Sequence, residues 1–122
     1  FKAGMPPERI VFCHTDRACS AAVRKELLSC GVFLEMDTIG RYQYHSDARE
    51  VEIFQELLGA GYREQLLFSL DTTRARMKSY TPGAIGLDYL LRTFIPMLRA
   101  AGVTKTELSR ISHDNCLRAF GG

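Results

Sequence analysis

The sequence predicts an α/β fold built on a parallel sheet. Three apolar runs, each ending at an aspartate, read as strands: Ile10–Asp16 (IVFCHTD), Val32–Asp37 (VFLEMD) and Leu66–Asp71 (LLFSLD). Amphipathic helical patterns separate them, and no two-residue hairpin turn joins any pair. The resulting order, β-α-β-α-β-α, requires parallel strands with helical crossovers.

Each element has its own local reason. The strand runs combine β-branched, aromatic and leucine residues, which suits burial on both faces. Ala18–Cys30 places Ala22, Val23, Leu27 and Leu28 on one side, with Arg24, Lys25 and Glu26 outward, and Gly31 as a stop. Asp47 is the expected cap of a helix over Ala48–Ala60, where Val51, Phe54, Leu57 and Leu58 follow helical spacing before Gly61. After the third strand and a long loop, Gly86–Ala101 carries a stripe of Leu87, Leu90, Leu91, Phe94, Ile95 and Leu98, with a kink expected at Pro96. Thr104 and Glu107 form a capping-box signature for a helix over Thr104–Ser112. A short turn over Asn115–Phe120 follows.

Composition narrows the functional classes. The 122 residues suffice for a core and are 46% hydrophobic and 25% charged. A formal net charge of +2, without a basic run, argues against nucleic acid and anionic membranes. No apolar stretch approaches the roughly 18 residues of a membrane span. No stretch has the pattern of a secretory leader. Cys13, Cys19, Cys30 and Cys116 lack C-x-x-C spacing and are expected to be reduced thiols in a cytoplasmic protein.

Parallel α/β folds, whether open doubly wound sheets or (β/α)8 barrels, bind ligands at the C-terminal ends of their strands. Periodicity does not choose between the two. The terminal aspartates and the loops after them therefore lie where chemistry is expected. Phosphate-cradling glycine motifs and the G-x-S-x-G elbow are absent, so neither nucleotide binding nor that hydrolase type is supported. His14, at the end of the first strand, is either a loop histidine satisfied by hydrogen bonds or a metal ligand. Asp71 either caps the following loop or acts as ligand and proton acceptor. Arg17, Arg41, Arg74, Arg76 and Lys78 follow the three strands and form either a solvated rim or an anion-binding set. Tyr42, Tyr44 and Tyr80 share those loops. His45 and His113 are poor candidates for completing a metal site.

The succession FCHTD, MDTIG, LLFSLDTTR and GLDYLLRTFIPMLRAAGV, closed by HDNCLRAF, resembles the C-terminal part of the phosphotriesterase-related family of the amidohydrolase superfamily. The resemblance runs from about Pro7 to Phe120 and is most specific from the Asp71 strand through Leu98. It implies a single partial domain over residues 1–122, supplying strands six to eight, with their helices, of a (β/α)8 TIM barrel. It also implies two divalent metal ions, with zinc expected. His14 would bind one of them. Asp71 would bind the other and take a proton from the attacking water. Arg74 would hold the anionic group of a small-molecule substrate, with Arg41, Arg17 and Tyr80 beside it. The other metal ligands would lie on strands this chain does not contain.

Two departures narrow the activity. Thr38 and Arg17 stand where phosphotriesterases carry a relay histidine and its acidic partner, so phosphotriester hydrolysis is not carried over. Thr38-Ile39-Gly40 and the D-x-x-R of Asp71–Arg74 look more like the phosphotriesterase-homology and sugar-lactone hydrolase branches. Asn115-Cys116 replaces the usual Asn-Pro. The expectation is a lactonase or esterase acting on an anionic, phosphorylated substrate. The alternatives are a catalytically incomplete module that binds or supports a partner, and an independent open-sheet domain with an anion site. Open strand edges make association, as in a homodimer, an expectation for the chain alone.

Overall fold

Burial sorts the strand residues onto two faces, and the architecture follows from that sorting. The computed structural model describes residues 2–121. Its sheet has three parallel strands in the order β1 (Val11–Phe12), β2 (Phe33–Met36) and β3 (Leu66–Phe68). Register pairs Val11 with Phe33, Phe12 with Leu34 and Leu34 with Leu66. The paired strands are shorter than the apolar runs. β1 has β2 as its one partner among the described residues, and the chain turns away at His14, whose backbone is left-handed.

Leu34, Met36, Leu66 and Leu70 point to one side of the sheet and join Leu28, Phe54, Leu57, Phe94, Leu98 and Ile111 in the main core. Phe54 is fully buried, with ring centroids 6.0 Å from Phe68 and 5.9 Å from Phe94. The opposite side carries a smaller cluster of Phe33, Leu67 and Ala119, with Val11 and Cys116 against it. Helix α6 (Asn115–Phe120), expected as a short turn, lies on this second side. Asn115 fixes it there: its Nδ2 donates to Arg63 O (2.9 Å) and Leu66 O (2.8 Å) at the start of β3.

The helix predicted over Ala18–Cys30 is α2 (Ala21–Ser29), capped by Ser20, and a separate short helix α1 (Thr15–Ala18) takes up Thr15 and Asp16, which the sequence reading placed in the first strand. Arg24 is buried rather than outward, and Val23 is exposed. The Arg24 guanidinium crosses the break and donates to Thr15 O and Cys19 O, satisfying carbonyls that the interruption frees. Helix α3 (Asp47–Gly59) is capped by Ser46, not Asp47: Ser46 Oγ accepts from Arg49 N at 3.1 Å. Asp47 instead accepts from Gly40 N (2.8 Å) and from the Tyr89 hydroxyl, tying the helix start to two loops. Gly31 and Gly61 adopt the positive φ expected of helix stops.

At Pro96 the helical backbone is continuous: a π-helical turn over Leu90–Phe94 runs directly into α4 (Ile95–Ala100), and this change of hydrogen-bond register accommodates the missing proline amide. Phe94 and Leu98 are buried, whereas Leu87 and Leu91 are exposed because the helical face begins later than predicted. The capping box of α5 (Lys105–Ser109) forms as expected, with Glu107 N donating to Thr104 Oγ1 and Thr104 N to Glu107 Oε1, both at 3.1 Å. No described helix is long and apolar enough to cross a membrane. The four cysteines are unpaired thiols.

Candidate functional site

Polar residues gather at the C-terminal ends of the strands. His14 follows β1 and Asp71 follows β3. They are the two non-glycine residues with positive φ among the described residues, at 57° and 45°. Such backbone costs energy for residues with a Cβ and persists where the surroundings over-determine it.

His14 is held by Asp37 at the end of β2. Its Nδ1 lies 2.7 Å from Asp37 Oδ1, and its backbone N–H donates to Asp37 Oδ2 at 3.2 Å. This contact fixes the ring and turns Nε2 away from Asp37, as a carboxylate does for histidines that bind metals. Burial pushes the Asp37 carboxyl up, while the bonds from His14 pull it down. Asp71 is exposed. Arg41 lies across it, with Nη2 3.1 Å from Oδ2 and donating to the Asp71 carbonyl at 2.5 Å.

The remaining predicted residues separate. Arg17 stacks over Tyr44 at 4.4 Å, and Arg74 over Tyr80 at 5.3 Å. Lys78 pairs with Asp88. Arg76 is not a rim residue: it is buried and donates through Nη2 to Ile39 O, leaving Nε and Nη1 without a partner. Arg41 and Arg76 flank a shallow groove between the loops after β2 and β3, also lined by Gly40, Thr73 and Ile85. The packing at Gly40 is tight. A Cβ there would lie 2.9 Å from Ile85 Cδ1 and 3.2 Å from Arg76 Nη2, in a backbone with φ +73°.

Two further groupings escaped the sequence reading. Cys13, Glu35 and Asp37 bring ligand atoms within 4.8 Å of one another on the smaller-cluster side of the sheet. Strand parity was the available signal, since Glu35 and Asp37 share a face. The Cys13 thiol donates to Glu35 Oε2 at 3.1 Å; burial of the sulfur and this bond push its pKa up to about 12, so it is neutral. Asp16, His45 and Glu50 form the other grouping, again within 4.8 Å. Burial, followed by the charge of Asp16, pushes the Glu50 carboxyl up to about 9. No spacing rule connects these residues.

A parallel α/β sheet with constrained polar residues at its strand C-termini has the layout of an enzyme domain of the barrel-forming class. A profile of the phosphotriesterase family matches residues 2–120, and the chain belongs to that family. Three relatives give its surroundings. The phosphotriesterase homology protein of Escherichia coli (strain K12) is 29% identical over 117 residues, which are 96% of this chain and 40% of that one. An N-acetyltaurine hydrolase of Danio rerio is 26% identical over 126 residues, covering 93% of this chain and 36% of that one. A phospho-furanose lactonase of Mycoplasmopsis synoviae (strain 53) is 28% identical over 123 residues, covering 96% and 35%. The crystal structure of the Escherichia coli protein, with phosphate in its active site, superposes with a TM-score of 0.90 at 27% identity, covering 99% of this chain and 41% of that one. The chain thus spans about two-fifths of the length of the relatives it matches.

Proposed function

We propose that these residues form strands six to eight of a metal-dependent hydrolase barrel that cleaves a lactone or ester bearing an anionic, phosphorylated group. One observation carries the reading: His14 and Asp71, with left-handed backbone at the ends of the two strands that flank β2, present an imidazole held by Asp37 and a carboxylate held by Arg41. The share of the relatives covered is close to three of eight βα units. A relative named as a phospho-furanose lactonase supports the substrate class.

Imidazole and carboxylate are donors that suit divalent zinc or manganese, so the residues fit the metals the family implies. His14 Nε2 and Asp71 would hold them, with further ligands from the rest of the barrel. When bound, such metals activate water and polarise the scissile carbonyl. Asp71 accepts the proton of the attacking water and returns it to the leaving oxygen. Arg41 keeps that carboxylate facing the site and is a positioning residue. Asp37 sets the ring of His14. Arg74, backed by Tyr80, receives the remote anion, with Arg17 and Arg76 adding positive potential. A lactone's alkoxide remains tethered, so cleavage tolerates Thr38 in place of a relay histidine.

The test uses the polypeptide containing the whole barrel and a phosphorylated sugar lactone. Asp71→Asn is expected to reduce kcat by about 10²–10⁴-fold. Arg74→Ala should raise KM about tenfold with kcat kept. Wild-type kinetics in Asp71→Asn would remove its proton-transfer role, and an unchanged KM in Arg74→Ala would remove the anion clamp. The second reading is a binding or structural module without activity. It is favoured by the presence here of two donors of the proposed set, and hydrolysis by the metal-loaded barrel would end it.

A further inference from the structure

We propose that Asp16, His45 and Glu50 form a buried cation site of the zinc class that staples the loop after β2 to α1 and α3. The ligand atoms of the three residues all lie within 4.8 Å of one another. Asp16 comes from α1, His45 from the loop after β2, and Glu50 from the first turn of α3. His14 and Asp71 take no part, so the inference is independent of the hydrolase reading.

The charge balance of the pocket carries the argument. Glu50 is 0% exposed and Asp16 5%. Glu50 Oε2 meets His45 Nε2, while Glu50 Oε1 has no hydrogen-bond partner. Asp16 Oδ2 accepts from Thr38 N at 2.7 Å; the Thr38 hydroxyl, also buried, has no partner. Asp37 and Asp47 are buried nearby and add to the negative potential. Among the described residues, no lysine or arginine forms an ion pair with Asp16 or Glu50. The arginines of the region point elsewhere: Arg24 donates to Thr15 O and Cys19 O, Arg41 pairs with Asp71, and Arg76 donates through Nη2 to Ile39 O and forms no ion pair with Asp16 or Glu50.

Buried carboxylates need a counter-charge or a metal. A single proton, whether on His45 or between Glu50 and Asp16, neutralises one of the two carboxylates. A divalent ion engages all three residues. One imidazole nitrogen and two carboxylate oxygens are ordinary zinc donors at about 2.0–2.2 Å. Tetrahedral donors at that radius stand about 3.3–3.6 Å apart, within the observed spread. Binding replaces the hydrogen between His45 and Glu50 with the ion and releases the proton to solvent. A water completes the coordination.

The experiment starts from purified protein stripped with a chelator and titrated separately with zinc and manganese. Binding is followed by calorimetry and by metal-to-protein ratio. Wild-type protein should bind zinc and gain several degrees in Tm, rising with the logarithm of free metal. His45→Ala and the near-isosteric Glu50→Gln should each lose one equivalent or weaken it at least tenfold, with circular dichroism confirming the fold. His14→Ala should keep that equivalent. Cobalt substitution should give d–d bands without a thiolate charge-transfer band. Three results would overturn the proposal. They are undiminished binding in both His45→Ala and Glu50→Gln, a thiolate band implicating Cys13, or no zinc uptake by the wild type.

Discussion

The two faces of the sheet are unequally finished. On the side of α2, α3 and α4, seventeen buried apolar residues form one cluster and the aromatic rings of Phe54, Phe68 and Phe94 meet. On the other side, three buried residues form a patch under α6, and Cys13, Glu35 and Asp37 take over towards the strand ends. The first face owes its stability to packing. The second is organised around polar groups gathered at the strand ends. Fold and site are therefore built on opposite sides of the same few residues.

Leu66 and Leu67 offer the sharpest probe, being adjacent, identical in type and on opposite faces of β3. Leu66→Ala should destabilise by about 4–5 kcal/mol and Leu67→Ala by about 2–3 kcal/mol in urea unfolding. Equal losses would show that the smaller face packs as fully as the main core. Asn115→Ala comes next, at about 1–3 kcal/mol, because it orphans Arg63 O and Leu66 O at the foot of β3. A loss no greater than that of an exposed control residue would show that α6 is held by its apolar contacts alone.

A pH-dependent effect concerns Glu50, faced by Asp16, Asp47, Asp37 and His45. Burial raises its folded pKa to about 9, above the 4.5 of a solvated glutamate. The metal-free folded state therefore holds the extra proton between these values. Its contribution to stability is complete below about 4.5 and declines as pH rises towards 9. Chelated wild-type protein should lose stability over that window, and Glu50→Gln should remove this component of the slope. Identical pH profiles would mean that Glu50 titrates alike in the folded and unfolded states.

The order of elements was readable because periodicity is local: strand runs, helix stripes and the Thr104–Glu107 box each lie within a few residues. The errors arose where distant partners decide. Asp47 and Ser46 both suit a cap, and Tyr89 with Gly40 draws Asp47 away. Arg24 looks like a solvent-facing cation until the break before α2 exposes carbonyls for it. Leu87 and Leu91 fit a helical stripe, but the regular turns begin after them. At the candidate site, His14 and Asp71 stood out from their strand-end positions. The grip of Arg41 on Asp71 and the meeting of Asp16 with His45 and Glu50 require the folded topology.

Helix α6 occupies the lower part of the sheet's less-packed side, with Ala119 against Phe33 and Leu67 and the Arg118 guanidinium 5.7 Å above the Phe33 ring. In a closed barrel that region is the floor. On the proposed barrel reading, strands that complete the ring would need small side chains at their lower inward positions, and the last helix would take part in assembly order. A complementing polypeptide supplied separately would have to close around α6 rather than slide beneath it, and a bulky fusion after Phe120 would hinder closure while leaving the strand-end residues untouched.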